Sequence, residues 1–226
     1  MPRVFCYRRG RGAERIYMAT IHEITKLTDE KFVNLYRLRG SNEKGYQSNY
    51  LVASRAKEIG DLKIRTRENT ADGVAIYALY GQERDRIVMV RQYRYPVDRF
   101  VYELPAGLVE KNENFREAAV REMREETGLV FTPLDVDPMF EAPRYTTIGM
   151  TDEACATVYG YAEGVCTNRF NEKSEEIEIV LADRDEVRRI LQEEQVALLA
   201  AYHLMHFLHD PDPFAFLKRD LKEMEH

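Results

Sequence analysis

The chain has 226 residues, 44% of them hydrophobic and 11% aromatic, which allows one full domain with a buried core plus a smaller appendage. Its net charge of −6 disfavours a general nucleic-acid or membrane-surface binder, because both of those surfaces are polyanions. No run is long and apolar enough to span a bilayer, no secretory leader is evident, and the three cysteines (Cys6, Cys155, Cys166) are too scattered for a disulfide framework or a zinc site; a cytoplasmic protein with reduced thiols is expected.

In chain order, residues 1–30 read as a basic tail and lead-in. Arg3, Arg8, Arg9, Arg11 and Arg15 come without an apolar pattern, so disorder is expected there, with Met18 an alternative start. Residues 31–70 carry short, roughly alternating apolar runs at 32–38, 50–53 and 62–64, separated by turn-formers such as Gly40 and Gly45; these predict a small antiparallel sheet of three strands. So small a sheet buries little apolar surface and leaves open edges, which predicts a homodimer.

Residues 71–210 predict the main domain, with 211–226 as a tail. Residues 74–80 form a run suited to a strand buried on both faces, and 86–93 read as its returning partner. Further strands are predicted at 100–104, 155–161 and 177–181. Helical periods appear at 184–192 and 196–208, the second apolar nearly all round and ended by Pro211 and Pro213. His203, His206 and His209 on that helix read as packing residues, since no carboxylate or cysteine partner accompanies them.

The chemistry lies between Gly107 and Leu129. Glu122, Glu125 and Glu126 are spaced i, i+3, i+4, so a helix projects them from one face. Such crowding of like charge is explained by a hard divalent cation, Mg2+ with Mn2+ as the alternative, and Arg121 can hold part of the cluster by bidentate pairing. The helix has its own boundaries. Asn114 with Glu117 makes a capping box, Phe115, Ala119 and Met123 a packing stripe, and Gly128 fits a left-handed end. Glu113, ahead of the helix, is placed to orient Arg121 or the loop.

Gly107, Glu113, Arg121, Glu122, Met123, Glu125, Glu126, Gly128 and Leu129 together resemble the Nudix box. Outside it, Arg91 to Arg94 and Glu103 to Gly107 resemble the ADP-ribose pyrophosphatase branch of that superfamily. The resemblance implies an α+β Nudix fold, a mixed β-sheet sandwiched between helices, preceded by a small N-terminal antiparallel sheet that dimerises and lends substrate contacts. It implies metal binding by the Ala106 carbonyl and by Glu122, Glu125 and Glu126. It implies substrate contacts from Arg94, Glu103 and Glu153, with Arg55 as the nearest match to an arginine supplied by the N-terminal sheet. A glutamate in the loop 168–176 would activate the attacking water; Glu175 is the first choice and Glu176 the second, with Arg121 and Glu125 supporting catalysis. A Ser-Pro-Gly-type loop of that branch is absent in compact form, Pro143 and Gly149 each supplying part of it, and without tryptophan any base-stacking platform falls to Tyr36 or Tyr50.

The implied reaction is metal-dependent cleavage of the pyrophosphate bond of ADP-ribose or a related nucleoside diphosphate sugar. GDP-mannose or another nucleoside diphosphate sugar is the alternative substrate, and a Nudix-fold nucleotide sensor without turnover is the alternative of another class.

Overall fold

The computed structural model describes residues 19–170 and 176–218, in two compact units. The first unit comprises Met1–Thr66 and Gly149–Asp152. Its described part is an antiparallel sheet of β1 (Ala19–Lys26), β2 (Asn34–Asn42) and β3 (Gln47–Ser54), followed by a 3-10 turn and the four-residue helix α1 (Lys63–Thr66). Tyr36 lies opposite Val52 in the sheet, and both pack with Leu62 to form its core.

Two expectations are corrected. Residues 62–64 are not the third strand: Leu62 is a buried anchor at the start of α1, and three alternating residues are too few to separate a period of 2 from one of 3.6. The third strand is β1, within the segment read as lead-in. Most of its side chains are exposed, and a register shift between Ile21 and Glu23 breaks the alternation that marks a strand. Tyr36, in turn, is wholly buried, with its hydroxyl donating to the Ala56 carbonyl at 2.8 Å, which removes it as a stacking surface.

The second unit comprises Arg67–Ile148 and Glu153–His226. Its mixed eight-stranded sheet is built from β4 (Gly73–Tyr80), β5 (Arg86–Arg94), β6 (Arg99–Glu103), β7 (Ala106–Leu108), β8 (Val130–Pro133), β9 (Arg144–Tyr145), β10 (Ala154–Glu163) and β11 (Ile177–Ala182). The helices are α2 (Phe115–Thr127), α3 (Pro138–Glu141), α4 (Arg184–Glu193) and α5 (Leu198–His209). The central order is β11-β5-β4-β10-β8, with β6 on β5, β7 on β4 and β9 on β10. β10 runs parallel to β4, placing Tyr159 opposite Tyr77.

β4 shows why both faces of the sheet are dry. Val74, Ile76 and Ala78 point to one side and pack with Ala118, Ala119 and Met123 of α2. Ala75, Tyr77 and Leu79 point to the other, where Ile190 of α4 and Leu204 and Phe207 of α5 cover them. The period of 2 sorts one continuous apolar run into two cores. Among the described residues, no helix is long and apolar enough to cross a membrane.

Candidate active site on the charged face of α2

The start of α2 is set by its own sequence. The Asn114 side chain accepts from the amides of Arg116 and Glu117, while the Glu117 carboxylate returns to the Asn114 amide. Gly128 ends the helix at φ 73°, a left-handed conformation that glycine adopts without penalty. Ala118, Ala119 and Met123 bury one side against the sheet, which turns the glutamates toward β7 and the loop after it.

Three glutamates one turn apart have three different surroundings. Glu126 is 5% exposed, and its Oε2 accepts from the Ala106 amide at 3.1 Å, tying α2 to β7. The Glu122 side chain is 14% exposed and lies against the backbone of Gly107, where a Cβ would fall 1.9 Å from its carboxyl carbon. Glu125 is the outward member, its side chain 48% exposed.

Arg121 organises this face. Its Nε and Nη2 form a fork on Glu113 at 3.0 and 2.9 Å, and Nη2 also donates to the Leu108 carbonyl at 2.9 Å. Nη1 reaches Glu122 at 2.7 Å and Glu125 at 2.9 Å. One planar cation thus fixes the loop ahead of the helix and two helix carboxylates together. The Arg121 hydrogen bonds hold the Glu113 carboxyl below its ordinary pKa. Glu113 and then Glu122 raise the pKa of Arg121 further, so it is a permanent cation.

The remaining predicted residues are distributed as follows. Arg94 and Glu103, both predicted to face substrate, form a two-pronged pair with each other at 2.6 and 2.8 Å. Glu153 accepts from the Thr146 hydroxyl at 3.1 Å. Arg55 lies in the first unit, directly after β3 and partly buried. Tyr50 keeps an exposed ring, and its hydroxyl donates to the Gly149 carbonyl. Glu176 is exposed immediately before β11, its carbonyl accepting from the Tyr93 amide. Glu175 lies outside the described residues, as does Glu172.

Sequence reasoning missed one ion pair that holds the same helix. Arg116, in the first turn of α2, donates through Nε to Glu141 of α3 at 2.8 Å, and Glu141 is 2% exposed. Burial raises the Glu141 pKa, against the pull of Arg116. Nothing local announces a pair 25 positions apart.

The donor set fits a divalent cation. Carboxylate oxygens of Glu122, Glu125 and Glu126, with the Ala106 carbonyl as a neutral oxygen, are hard ligands suited to Mg2+ or Mn2+. The bare Cα of Gly107 is the cradle that lets Glu122 lie so close to β7. Among the described residues, no three acidic, histidine or cysteine side chains are already closed into a metal cage. Arg121 holds Glu122 and Glu125 in this structure, so a cation would share or exchange those oxygens with the guanidinium.

Residues 69–207 match the NUDIX domain family. An uncharacterized Nudix hydrolase of Schizosaccharomyces pombe is 34% identical over 124 residues, 54% of this chain and 57% of the relative. A putative Nudix hydrolase of Caenorhabditis elegans is 33% identical over 123 residues, covering 52% and 54% respectively. An ADP-ribose pyrophosphatase of Bacillus subtilis is 35% identical over 96 residues, covering 42% and 50%. The chain thus spans about half the length of these curated relatives. The crystal structure of an ADP compounds hydrolase superposes with a TM-score of 0.57 at 14% identity, covering 80% of this chain and 86% of that one; this likeness concerns the fold alone.

Proposed function

This chain belongs to the NUDIX domain family, and from that premise we propose that it hydrolyses the pyrophosphate bond of ADP-ribose or a related nucleoside diphosphate sugar, using a divalent cation. The products are a nucleoside monophosphate and a sugar phosphate. The observation that carries this reading is the charged face of α2: Glu122 seated on Gly107, Glu126 tied to Ala106, and Arg121 clamping both the helix and the preceding loop. The ADP-sugar preference draws on relatives named ADP-ribose pyrophosphatase in Bacillus subtilis and in Saccharomyces cerevisiae and ADP-sugar pyrophosphatase in Mus musculus.

A cation held by Glu122, Glu125, Glu126 and the Ala106 carbonyl supplies neutralisation of the diphosphate charge and activation of water. The chain's own residues do the rest. Arg121 keeps Glu122 and Glu125 from splaying apart under their mutual repulsion, and Glu113 keeps Arg121 in place. Glu103 orients the Arg94 guanidinium, whose fork geometry suits phosphate oxygens. Arg55 and Glu153 are the remaining proposed substrate contacts. Glu175, with Glu176 second, accepts the proton from the attacking water, because Glu122 and Glu126 are committed to cation and backbone.

The protein is proposed to act as a homodimer. In the first unit Tyr46, Tyr50 and Leu51 on or beside β3 are each more than 40% exposed, on a three-stranded sheet whose outer strands are β1 and β3. The decisive experiment for the activity is a hydrolysis panel of ADP-ribose, GDP-mannose, NADH and dinucleoside polyphosphates, with Mg2+ and with Mn2+. Preferred cleavage of ADP-ribose or another ADP-sugar is expected; no hydrolysis of any member would overturn the reading.

A further inference from the structure

α5 is a surface helix without a charged residue. Asp, Glu, Lys and Arg make up 32% of the chain, yet none of the twelve residues of α5 is one of them. One face carries Ala200, Leu204 and Phe207, buried in the core beside the sheet. The opposite face is equally apolar and bare: Leu198 is 70% exposed, Tyr202 62%, Met205 49% and the neighbouring Leu199 41%. A helix that is apolar all round is ordinarily covered all round, because either face gains by leaving water.

Leu198, Tyr202, Met205 and the exposed His209 fall at i, i+4, i+7 and i+11, the spacing of a seam that packs on a second helix. These intervals read the same in both directions. An antiparallel helix with the same seam therefore meets it in register, Tyr202 against Met205 and Leu198 against His209, each pair occurring twice about a two-fold axis. A thioether against a phenol ring is a favourable contact. The four large apolar side chains leave on the order of 400 Å² bare, a size that marks interaction faces. Two such faces with their rims bury about 1,000 Å² in total, the lower bound of a specific interface. Charge favours a second copy as the occupant: the chain carries −6 overall, so two copies approach most easily where the surface is uncharged. The chain's own last residues, 219–226, are a poor cover, five of them being charged and two apolar.

We propose that the bare face of α5 docks on the same face of a second copy of this chain, as an antiparallel helix pair about a two-fold axis. Its small area makes the contact weak by itself. It is a different surface from β3 of the first unit, and it does not depend on the hydrolase reading.

Two measurements on the full chain test this. Copies carrying Tyr202→Cys are mixed with copies carrying Met205→Cys in oxidised glutathione, with wild type giving the background of the native cysteines. The mixed disulfide should form at least about 10-fold faster than the disulfide between Arg188→Cys copies, a control on the exposed side of α4. Sedimentation equilibrium is then run on Leu51→Glu, which disables the β3 surface, so that the two association readings fail separately. This variant should still self-associate, with a Kd of roughly 0.1 to 1 mM. Adding Met205→Glu should weaken that Kd by at least about 10-fold and leave Tm within a few degrees, since residue 205 is half exposed. The proposal is overturned if the mixed disulfide forms no faster than the Arg188→Cys control. It is equally overturned if Leu51→Glu stays monomeric at millimolar concentration, or if Met205→Glu leaves its association unchanged.

Discussion

The backbone of Gly107 and the carboxylate of Glu122 occupy neighbouring space so closely that a Cβ on residue 107 would lie 1.9 Å from the Glu122 carboxyl carbon and from one of its oxygens. Gly107 does not have positive φ, so its requirement is for space and not for backbone freedom. Gly107→Ala therefore acts on the end of a flexible side chain and leaves the strand conformation accessible. We expect a Tm within a few degrees of wild type and a loss of kcat greater than about 100-fold, above the range typical of groups that merely support a ligand. Thermal melts beside steady-state kinetics check this; near-normal turnover would show that the position of Glu122 is not critical.

Glu122→Gln and Glu126→Gln each keep an oxygen acceptor but lose the charge. Glu126→Gln can still accept from the Ala106 amide, so the link from α2 to β7 survives. Both variants should fold and lose kcat by more than about 100-fold even at saturating Mg2+. Turnover near wild type in both would remove these residues from the cation site.

Glu113 predicts a pH dependence. Its folded pKa is depressed below the ordinary value of 4.5 by the Arg121 fork and by the Glu110 amide. A depressed carboxylate contributes stability that is present above the unfolded pKa and is lost as the pH falls through the folded one. The Tm advantage of wild type over Glu113→Gln should be full at about pH 7 and shrink toward zero as the pH drops below about 4. Melting curves across that range test it, and a difference independent of pH would mean that Glu113 acts by packing alone.

The base is tested in the loop before β11. Glu175→Gln should lower kcat strongly with little change in substrate binding, since the group acts in the transition state. If neither Glu175→Gln nor Glu176→Gln lowers kcat by more than about threefold, well short of the usual 10²-fold contribution of a general base, the role passes to Glu125.

Association state is the fifth expectation. Sedimentation velocity at micromolar concentration should give a dimer, and Leu51→Glu on exposed β3 should shift it toward monomer. A fully active wild-type monomer would sink the dimer proposal.

Much of the second unit was legible in the sequence because its signals are local. The cap at Asn114 and the glycine stop at Gly128 lie within a few residues of the turns they control. The continuous apolar run along residues 73–80 is itself the mark of a strand buried on both faces. The three-stranded sheet was half legible: β2 and β3 follow from their runs, whereas β1 did not, because a mostly exposed strand with a register shift carries little apolar pattern. The spacing of Glu122, Glu125 and Glu126 placed them on one helix face, since backbone geometry alone sets that.

Tertiary structure decided how those three glutamates differ. Glu126 is inward, Glu122 lies on Gly107 and Glu125 faces solvent because β7 packs beside α2, and no sequence period encodes that neighbour. It also decided that Arg94 pairs with Glu103 and that Arg116 reaches Glu141. Each of these joins residues from different elements. Periodicity and capping act within a few positions of the chain, while pairing and burial arise only once distant segments share the same space.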